Sequence, residues 1–470
     1  MEQSWNRYGG DGELKKMAEV PDTLNIKYDF EERQFVVPVR EMSTVFQYCL
    51  GNLTKKDARL ESIQDFLGSE DFDSHHNDFV QHEIAANIKC FHDVVARDFD
   101  VEKITNFNRT LDGSDKEVAP KYREFKVGPN LKESLLCEGF MFAQHKQFGN
   151  LVVFELEAYL DGGDGYLEFR THYLREDSIV RSFWDAVKDY FCNDGPLKGQ
   201  IINNKWEYVT PTESHLSDVV LSDKARAKIN RNVLSFLNNS DLFASKGLSK
   251  SRGILLYGAP GTGKTMTCEA IISQVDCTII CVSNDTVENL REIKKIYSLA
   301  EKLAPTLMVI EDIDTLGGLD RRDGASHPLL GELLASLNGL GPTGNVVTIA
   351  TTNYPQYLDR ALADRPGRFD IRIEFPIPDT GLRRAILEKY LAHFKTGKLS
   401  LDKFAKESEG LTGAYLREVV TTAYLITLER ELDSIKADVL MESLTQVKEM
   451  KEIALKEIGI STAPTGDMFS

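Results

Sequence analysis

The sequence lacks long hydrophobic runs, and no stretch approaches the roughly 20 consecutive apolar residues that a membrane-spanning helix needs. Its first residues also lack the basic stretch and apolar core of a secretory signal. The chain has 42% hydrophobic and 27% charged residues, which is typical of a soluble globular protein. We therefore expect a cytoplasmic protein without a membrane span.

Positively charged residues are also fewer than negatively charged ones. The 56 Lys and Arg residues are outnumbered by 73 Asp and Glu residues, so the formal net charge is −17. Phosphate backbones repel an acidic surface, and the chain contains no dense run of Lys and Arg that would form a local basic patch. The composition thus disfavours binding to nucleic acid.

Paired metal-binding motifs are missing as well. The seven cysteines are scattered without CxxC spacing, so we expect reduced thiols that act as small apolar core residues. Cys277 and Cys281 lie in an apolar stretch that predicts a buried strand, where a metal is not expected. His82 and Glu83 begin an HExxH pattern, but its fifth residue is Ala86, which excludes a zinc peptidase site there.

A chain of 470 residues is too long for one ordinary hydrophobic core, and its pattern of residue types changes along the sequence. We predict a polar tail (1–22), an N-terminal α+β domain (23–194), a linker (195–215), an α/β subdomain (216–378), a helical subdomain (379–458) and a C-terminal tail (459–470). The first domain should contain a hairpin, because residues 150–160 and 166–170 are strand-like and glycine-rich turn residues lie between them. Residues 178–191 have apolar residues at helical spacing.

The second half of the chain predicts a parallel sheet. Short apolar runs alternate with helical segments, and this is the pattern of strands joined by crossover helices. The runs are residues 253–257, 278–282, 307–310, 346–351 and 371–375. We therefore expect an α/β fold in which helices flank the sheet, followed by a helical subdomain.

A glycine-rich loop follows the first of these runs and contains a complete GxxxxGK[ST] motif. Its residues are Gly258, Ala259, Pro260, Gly261, Thr262, Gly263, Lys264 and Thr265, and Met266 follows them. Glycines allow the backbone to fold closely around phosphates and to direct its N–H groups inward, at the positive end of the next helix. Lys264 can then reach the β- and γ-phosphates, and Thr265 can place its hydroxyl on Mg²⁺. The loop thus predicts binding of ATP with Mg²⁺.

Two carboxylates stand where the third apolar run ends. Residues 307–310 lead directly into Glu311 and Asp312. In a doubly wound sheet, ligands bind outside the carboxyl ends of the strands, so these side chains should lie near the phosphates. One carboxylate is expected to hold the Mg²⁺ shell, and the other to orient and polarise the attacking water.

Taken together, these motifs resemble the AAA branch of the AAA+ ATPases. The resemblance runs from about Leu221 to Ile458 and includes the Walker A loop, the Walker B strand of residues 307–314, the second region of homology in residues 350–370, and the lid segment at residues 411–414. It implies an ATP-hydrolysing domain with a C-terminal helical lid. Gly413 and Ala414 of the lid would contact the nucleotide.

The resemblance also implies roles for three further residues. Asn353 would be sensor 1 and would contact the attacking water or the γ-phosphate. Arg365 and Arg368 would be arginine fingers that reach the γ-phosphate held by the next subunit, where a guanidinium offsets the developing charge. Fingers that act between subunits require a homo-oligomer, and the family implies a ring, commonly of six.

Two departures from the family pattern are visible. The usual Walker B order is Asp then Glu, whereas this chain has Glu311 followed by Asp312. The register then places Glu311 at the metal position and Asp312 at the position of the base, an order similar to that of AAA relatives that translocate a folded iron–sulfur protein in mitochondria. In addition, residues 283–293 lack the aromatic residue and the glycine of a threading pore loop.

Three functions remain open at this point. The leading hypothesis is an ATP-driven machine that remodels or disassembles proteins, in which the N-terminal domain selects a substrate that the sequence does not identify. A nucleotide-gated scaffold with low turnover is the second, since the swapped acidic pair could slow hydrolysis. A motor that acts on nucleic acid is the third, although the acidic charge argues against it.

Overall fold

A computed structural model describes residues 25–30, 33–38, 57–109, 115–159, 165–174, 178–282, 290–315, 344–355, 369 and 371–457. Arg365, Arg368 and residues 283–289 of the expected pore loop lie outside the described residues. The chain separates into two units by contact, one of residues 1–81, 95–123 and 134–183, and one of residues 82–94, 124–133 and 184–470.

The part of the chain before residue 195 is built mainly from strands. These are β1 (Asn25–Phe30), β2 (Arg33–Pro38), β3 (Phe72–Val80), β4 (Phe99–Arg109), β5 (Asp115–Val118), β6 (Lys121–Lys126), β7 (Lys132–His145), β8 (Leu151–Tyr159) and β9 (Tyr166–Leu174). The helices are α1 (Ala58–Leu67), α2 (Gln81–Asp98) and α3 (Ile179–Asn193).

The main sheet of the first unit is antiparallel. Its strand order is β3-β9-β8-β7-β4-β5, and β6 pairs with β7 beside this path. Strands β8 and β9 are neighbours with Tyr159 opposite Tyr166, which confirms the predicted hairpin. Helix α3 confirms the helix predicted at residues 178–191.

Helix α1 and the sheet share an apolar core. Asp57 caps the helix by accepting hydrogen bonds from the backbone N–H groups of the next turn, and Gly68 ends it with φ at 70°. The helix buries Ile63 and Leu67. These side chains pack against Phe140 and Phe142 of β7 and against Val153 of β8, which is buried as well. Hydrophobic burial thus fixes α1 on one face of the sheet.

A buried group of charges lies on the same sheet. The carboxylate of Glu155 is only 4% exposed. It lies 2.7 Å from an Nη of Arg59, 3.2 Å from an Nη of Arg170 and 3.0 Å from Nε2 of His172. The other ring nitrogen of His172 is 2.7 Å from the hydroxyl oxygen of Ser74. A carboxylate removed from water requires such partners, because an unpaired buried charge is strongly destabilising.

After residue 195 the chain alternates strands and helices. The strands are β10 (Ile201–Asn203), β11 (Arg252–Tyr257), β12 (Thr278–Val282), β13 (Thr306–Ile310), β14 (Val346–Thr352) and β15 (Ile371–Glu374). The helices are α4 (Asp223–Ile229), α5 (Ser235–Asn238), α6 (Ser240–Ser245), α7 (Lys264–Ile272), α8 (Leu290–Lys302), α9 (Thr380–Leu391), α10 (Leu401–Glu407), α11 (Gly413–Glu429) and α12 (Ala437–Glu457).

These strands form a parallel sheet in the order β10-β12-β13-β14-β11-β15. The predicted α/β architecture is therefore confirmed. All residues of β13 and β14 are buried, because both faces of the sheet are covered, and this explains why the two strands contain only apolar residues and threonine. Strand β10 was not predicted; it lies inside the segment expected to be a linker and pairs with β12. The domain boundaries themselves stay predictions.

Helices α9 to α12 form the predicted helical subdomain around a core of their own. Most of the buried residues of this core lie in α11 and α12, and these two helices contact each other. Tyr415 packs against this core. Among the described helices, none combines the length and apolarity needed to cross a bilayer.

The start of α11 lies directly on the glycine-rich loop. The N–H of Ala414 donates to the carbonyl of Gly261 at 3.0 Å. Gly261 has φ at 76°, and a Cβ there would lie 2.7 Å from the Cβ of Ala414 and 2.8 Å from Oγ1 of Thr412. This close approach requires glycine at position 261 and joins the lid to the loop.

We expect Glu155→Gln to reduce the free energy of unfolding of the N-terminal sheet by roughly 2–3 kcal/mol, because a neutral amide replaces the buried carboxylate that Arg59, Arg170 and His172 share. Glu157→Gln is the matched control on the same strand; Glu157 is 53% exposed and 3.6 Å from Arg170. Its effect should stay within about 0.5 kcal/mol. Hydrogen exchange of the backbone amides in β8 and β9 measures the loss of stability in each variant. Equal exchange in the two variants would contradict the role of the buried charges.

A second prediction concerns Gly261. We expect Gly261→Ala to accelerate hydrogen exchange at the start of α11, since the new methyl group displaces Thr412 and Ala414. Gly247→Ala is the control, because Gly247 has φ at 71° but no atom within 4 Å of an added Cβ. Both variants carry a similar backbone strain of about 1 kcal/mol, so only the steric contact differs. Unchanged exchange at α11 in Gly261→Ala would exclude this contact.

Candidate functional site

A cleft of about 520 Å³ opens between the glycine-rich loop and the lid. Three kinds of residues line it: the loop itself, the carboxyl ends of two strands, and residues from the lid and from the segment before α4. They are Asp218, Val219, Val220, Pro260, Gly261, Thr262, Gly263, Lys264, Thr265, Met266, Asp312, Asn353, Ile386, Lys389, Tyr390, Gly413, Ala414, Arg417 and Glu418. The cleft thus gathers most of the residues that the sequence predicted for nucleotide binding.

Glycine makes the tight loop between β11 and α7 possible. Gly258 has φ at 150°, and a Cβ there would lie 2.1 Å from the carbonyl oxygen of Phe375. Gly263 has φ at 101° and precedes Lys264, the first residue of α7. The hydroxyl of Thr262 donates to the carbonyl of Ala259 at 2.8 Å and closes the turn. The loop therefore ends at a helix N-terminus, which favours anions.

Lys264 lies under this loop with only 6% of its surface exposed. Its Nζ donates to the carbonyl oxygens of Gly258 at 2.8 Å and Ala259 at 3.0 Å. Burial lowers the pKa of Lys264, and the carboxylates of Asp312 and Asp314 oppose this effect. The ammonium is thus poorly hydrated and is held where phosphate oxygens could replace the two carbonyls.

Glu311 follows β13 and lies beside Thr265. The Thr265 side chain hydrogen-bonds the carboxylate, while burial, Asp312 and Glu269 raise the pKa of Glu311. A hydroxyl and a carboxylate next to a phosphate-binding loop are hard oxygen ligands of the kind that Mg²⁺ prefers. A divalent cation there would offset the crowding of negative charge, so these residues fit a magnesium site.

Asp312, the next residue, lines the cleft. Its backbone has φ at 48°, an uncommon conformation for a residue other than glycine. Its N–H donates to Oγ1 of Thr351 at 2.9 Å, and its Oδ1 accepts a hydrogen bond from Nδ2 of Asn353, also at 2.9 Å. Asp312 and Asn353 are thus joined at the cleft because β13 and β14 are neighbours.

Sequence reasoning missed the other wall of the cleft. Val219 and Val220 lie just before α4, where Arg226 holds the backbone by donating to the carbonyls of Leu216 at 2.9 Å and Val219 at 3.0 Å. This segment belongs to the first residues of the expected α/β subdomain, directly after the expected linker, and no local motif marks it. The apolar pair at 219 and 220 after a polar stretch is the only available signal.

Lid residues were missed for a similar reason. Ile386, Lys389 and Tyr390 of α9 and Arg417 of α11 line the cleft, because the lid packs over the loop. Burial raises the pKa of the Tyr390 hydroxyl, and the charge of Arg417 opposes this effect. Arg417 lies four residues after Gly413, one helical turn from the predicted lid contact, so helical spacing could have identified it.

The described cysteines carry no site of their own. All six are free, and Cys90, Cys137, Cys268 and Cys277 are buried. Burial raises the pKa of the Cys277 and Cys281 thiols to about 11, so neither is a reactive thiolate at neutral pH. Within the described ranges, no group of three or more His, Cys, Asp and Glu converges on a metal site.

Comparisons with known proteins agree with this geometry. Residues 254–377 match the family described as "ATPase family associated with various cellular activities (AAA)". The proteasome-activating nucleotidase of Pyrococcus furiosus is 35% identical over 222 residues, which cover 45% of this chain and 56% of the relative. The 26S proteasome regulatory subunit 10B homolog A of Arabidopsis thaliana is 34% identical over 229 residues, covering 46% and 57%.

A third relative, the proteasome-activating nucleotidase of Sulfurisphaera tokodaii, is 32% identical over 255 residues, which cover 52% of this chain and 65% of the relative. The chain thus spans a little more than half the length of the curated relatives that it matches. Glycine loop, acidic strand end, neighbouring Asn353 and helical lid all occur in the expected order around one cleft. Residues 254–377 therefore lie in a domain similar to the AAA ATPases, and the glycine loop within it is a P-loop.

Proposed function

We propose that this chain binds ATP with Mg²⁺ and hydrolyses it to ADP and phosphate. The observation that carries the proposal is the Asp312 carboxylate, which lines the cleft beside the phosphate-binding loop and is held by the Asn353 amide at 2.9 Å. A carboxylate in this place can orient an attacking water and accept its proton. Loop N–H groups and Lys264 would hold the β- and γ-phosphates.

Roles for the two adjacent carboxylates follow from their contacts. Glu311 and Thr265 would hold Mg²⁺, partly through water, and the cation would neutralise charge on the phosphates. Asp312 would act on the water, with Asn353 fixing the direction of its carboxylate. This assignment agrees with the swapped order of the acidic pair and gives each residue one task. Gly413 and Ala414 would close the cleft from the lid.

The active form is proposed to be a homo-oligomeric ring, with six subunits as the expected number. Support comes from the resemblance of residues 365–370 to the family's arginine-finger segment, in which Arg365 and Arg368 would reach the neighbour's γ-phosphate. Both arginines lie outside the described residues. A finger supplied by a neighbour couples hydrolysis to assembly, because an isolated subunit lacks it.

We favour protein remodelling as the process that ATP hydrolysis drives. The relatives are named as proteasome-activating or as proteasome regulatory subunits, which points to protein substrates, but about half of this chain lies outside the aligned length. We propose that the N-terminal antiparallel sheet selects the substrate or partner. Nucleic acid remains disfavoured by the net charge of −17, and a cytoplasmic location remains a prediction.

A nucleotide-gated scaffold is the second candidate. It is favoured by one observation, the exchange of Asp and Glu at positions 311 and 312, which changes the length of each acidic side chain by one methylene. If the shift misplaces the base, ATP would still bind and promote assembly while little phosphate is released.

We expect Asp312→Asn to reduce ATP turnover about 100-fold or more, because the amide cannot accept the proton of the attacking water. Binding of ATP should change by less than about threefold, since Asp312 acts on water and not on the phosphates. Asp402→Asn, at a side chain that is 76% exposed on the lid, is the control and should keep wild-type turnover. Wild-type protein that binds ATP but releases no phosphate would favour the scaffold.

Mixing two inactive variants tests the ring. A variant with Arg365→Ala and Arg368→Ala keeps its acidic pair, and Asp312→Asn keeps its arginines, so a mixed ring contains some complete sites. We expect each variant alone to be inactive and the mixture to regain measurable turnover in a steady-state phosphate-release assay. Absence of recovery, in mixtures shown to co-assemble by light scattering and affinity capture, would contradict fingers that act between subunits.

A further inference from the structure

Asp314 is a buried carboxylate that the proposed chemistry does not use. It lies in the short helical turn Ile313–Thr315, two residues after Asp312, and is only 6% exposed. Its side chain is absent from the residues that line the cleft, so it does not face the substrate directly. A carboxylate this deeply buried requires a specific reason for its retention.

The contacts of Asp314 supply that reason. Its Oδ1 accepts hydrogen bonds from Oγ1 of Thr352 at 2.7 Å and from the backbone N–H of Asn353 at 3.3 Å. The same Thr352 hydroxyl oxygen accepts the N–H of Tyr354 at 3.0 Å. Asp314 therefore caps the end of β14, at the residue where Asn353 leaves the sheet.

Asn353 is consequently held at two points. Its backbone is bound by Asp314, and its side-chain amide donates to Asp312 at 2.9 Å. A side chain whose backbone and terminal amide are both fixed has little freedom to rotate. The direction in which Asn353 meets the Asp312 carboxylate thus depends on a residue outside the cleft.

The second carboxylate oxygen of Asp314 makes this arrangement unfavourable for the stability of the fold. Among the described residues, Oδ2 is buried and has no hydrogen-bond partner. A half-satisfied buried carboxylate destabilises a fold relative to an apolar residue of similar size. Packing alone therefore does not account for Asp314, whereas its contacts with the chain at Asn353 do.

We propose that Asp314 is a positioning residue, which orients Asn353 and through it the carboxylate of Asp312. This inference rests on the proposed ATP hydrolysis. It concerns a contact between the turn after β13 and the end of β14, so part of its test is independent of turnover. Asp314 acts on the alignment of the water-activating group and leaves binding of ATP to the glycine loop and Lys264.

The experiment compares three variants in the full chain. Asp314→Ala removes both hydrogen bonds and should lower kcat about 10- to 100-fold, the loss typical of a slightly misplaced reactive group, with KM for ATP changed less than about twofold. Asp314→Asn keeps a carbonyl oxygen that accepts the same two bonds and should retain most of kcat. Thr352→Val removes the donor to Asp314 together with the acceptor of the Tyr354 N–H, and should lower kcat in the same direction.

A double variant separates positioning from a merely structural role. If Asp314 acts through Asn353, Asp314→Ala should add no further loss of kcat to that of Asn353→Ala, because the two residues act as one unit. Additive losses, or a fall in ATP affinity that accompanies the loss of kcat, would overturn the proposal. Should Asp314→Ala fail to fold, Thr352→Val combined with Asn353→Ala provides the same comparison.

Hydrogen exchange tests the contact of Asp314 with Asn353 without requiring ATP turnover. The backbone N–H of Asn353 should exchange at least about tenfold faster in Thr352→Val and Asp314→Ala than in wild type. In Asp314→Asn it should exchange at nearly the wild-type rate. Unchanged exchange in Thr352→Val would overturn the positioning role. If wild type releases no phosphate but exchange changes as expected, the proposed hydrolysis fails while the contact of Asp314 with Asn353 stands.

Discussion

The site depends on the order in which the parallel strands lie side by side, β13-β14-β11. The carboxyl ends of these strands carry Glu311 and Asp312, Asn353, and the glycine loop that begins at Gly258. Parallel strands end at the same edge of a sheet, so three segments far apart in sequence meet there. Two hydrogen bonds at Asp312, one to Thr351 and one from Asn353, then fix the acidic side chain relative to the loop. Without this order, the same residues would be ordinary polar loop residues.

The lid adds a second constraint to this edge. Gly261 approaches Ala414 so closely that no side chain fits between them, and the carbonyl of Gly261 accepts the Ala414 N–H. Nucleotide held by the loop would therefore lie directly against the first turn of α11. Such direct contact offers a physical route by which binding or loss of phosphate could move the lid, since a tightly packed interface does not deform continuously.

The N-terminal sheet is stabilised by two kinds of contact, an apolar core under α1 and the charges around Glu155. The apolar part tolerates many substitutions of similar volume, whereas the charged part requires each partner.

The sequence by itself determined the glycine loop, the five apolar runs of the sheet and the helical character of the lid. These are local properties, because glycine spacing, apolar runs and helical periodicity act over a few residues. It also predicted that Glu311, Asp312 and Asn353 belong to one site. The resemblance also implied that Glu311 serves the metal and Asp312 the water. The neighbouring strands add the contacts themselves, in which Glu311 meets Thr265 and Asp312 meets Asn353.

Only the tertiary structure revealed β10, the contribution of Val219 and Val220 to the cleft, the buried Glu155 and the contacts of Asp314. The contacts involved join residues from 15 to 96 positions apart in sequence, as for Glu155 with Arg170 and with Arg59. Burial of a carboxylate or pairing of a three-residue strand is decided by what packs against it, and no local pattern encodes that partner.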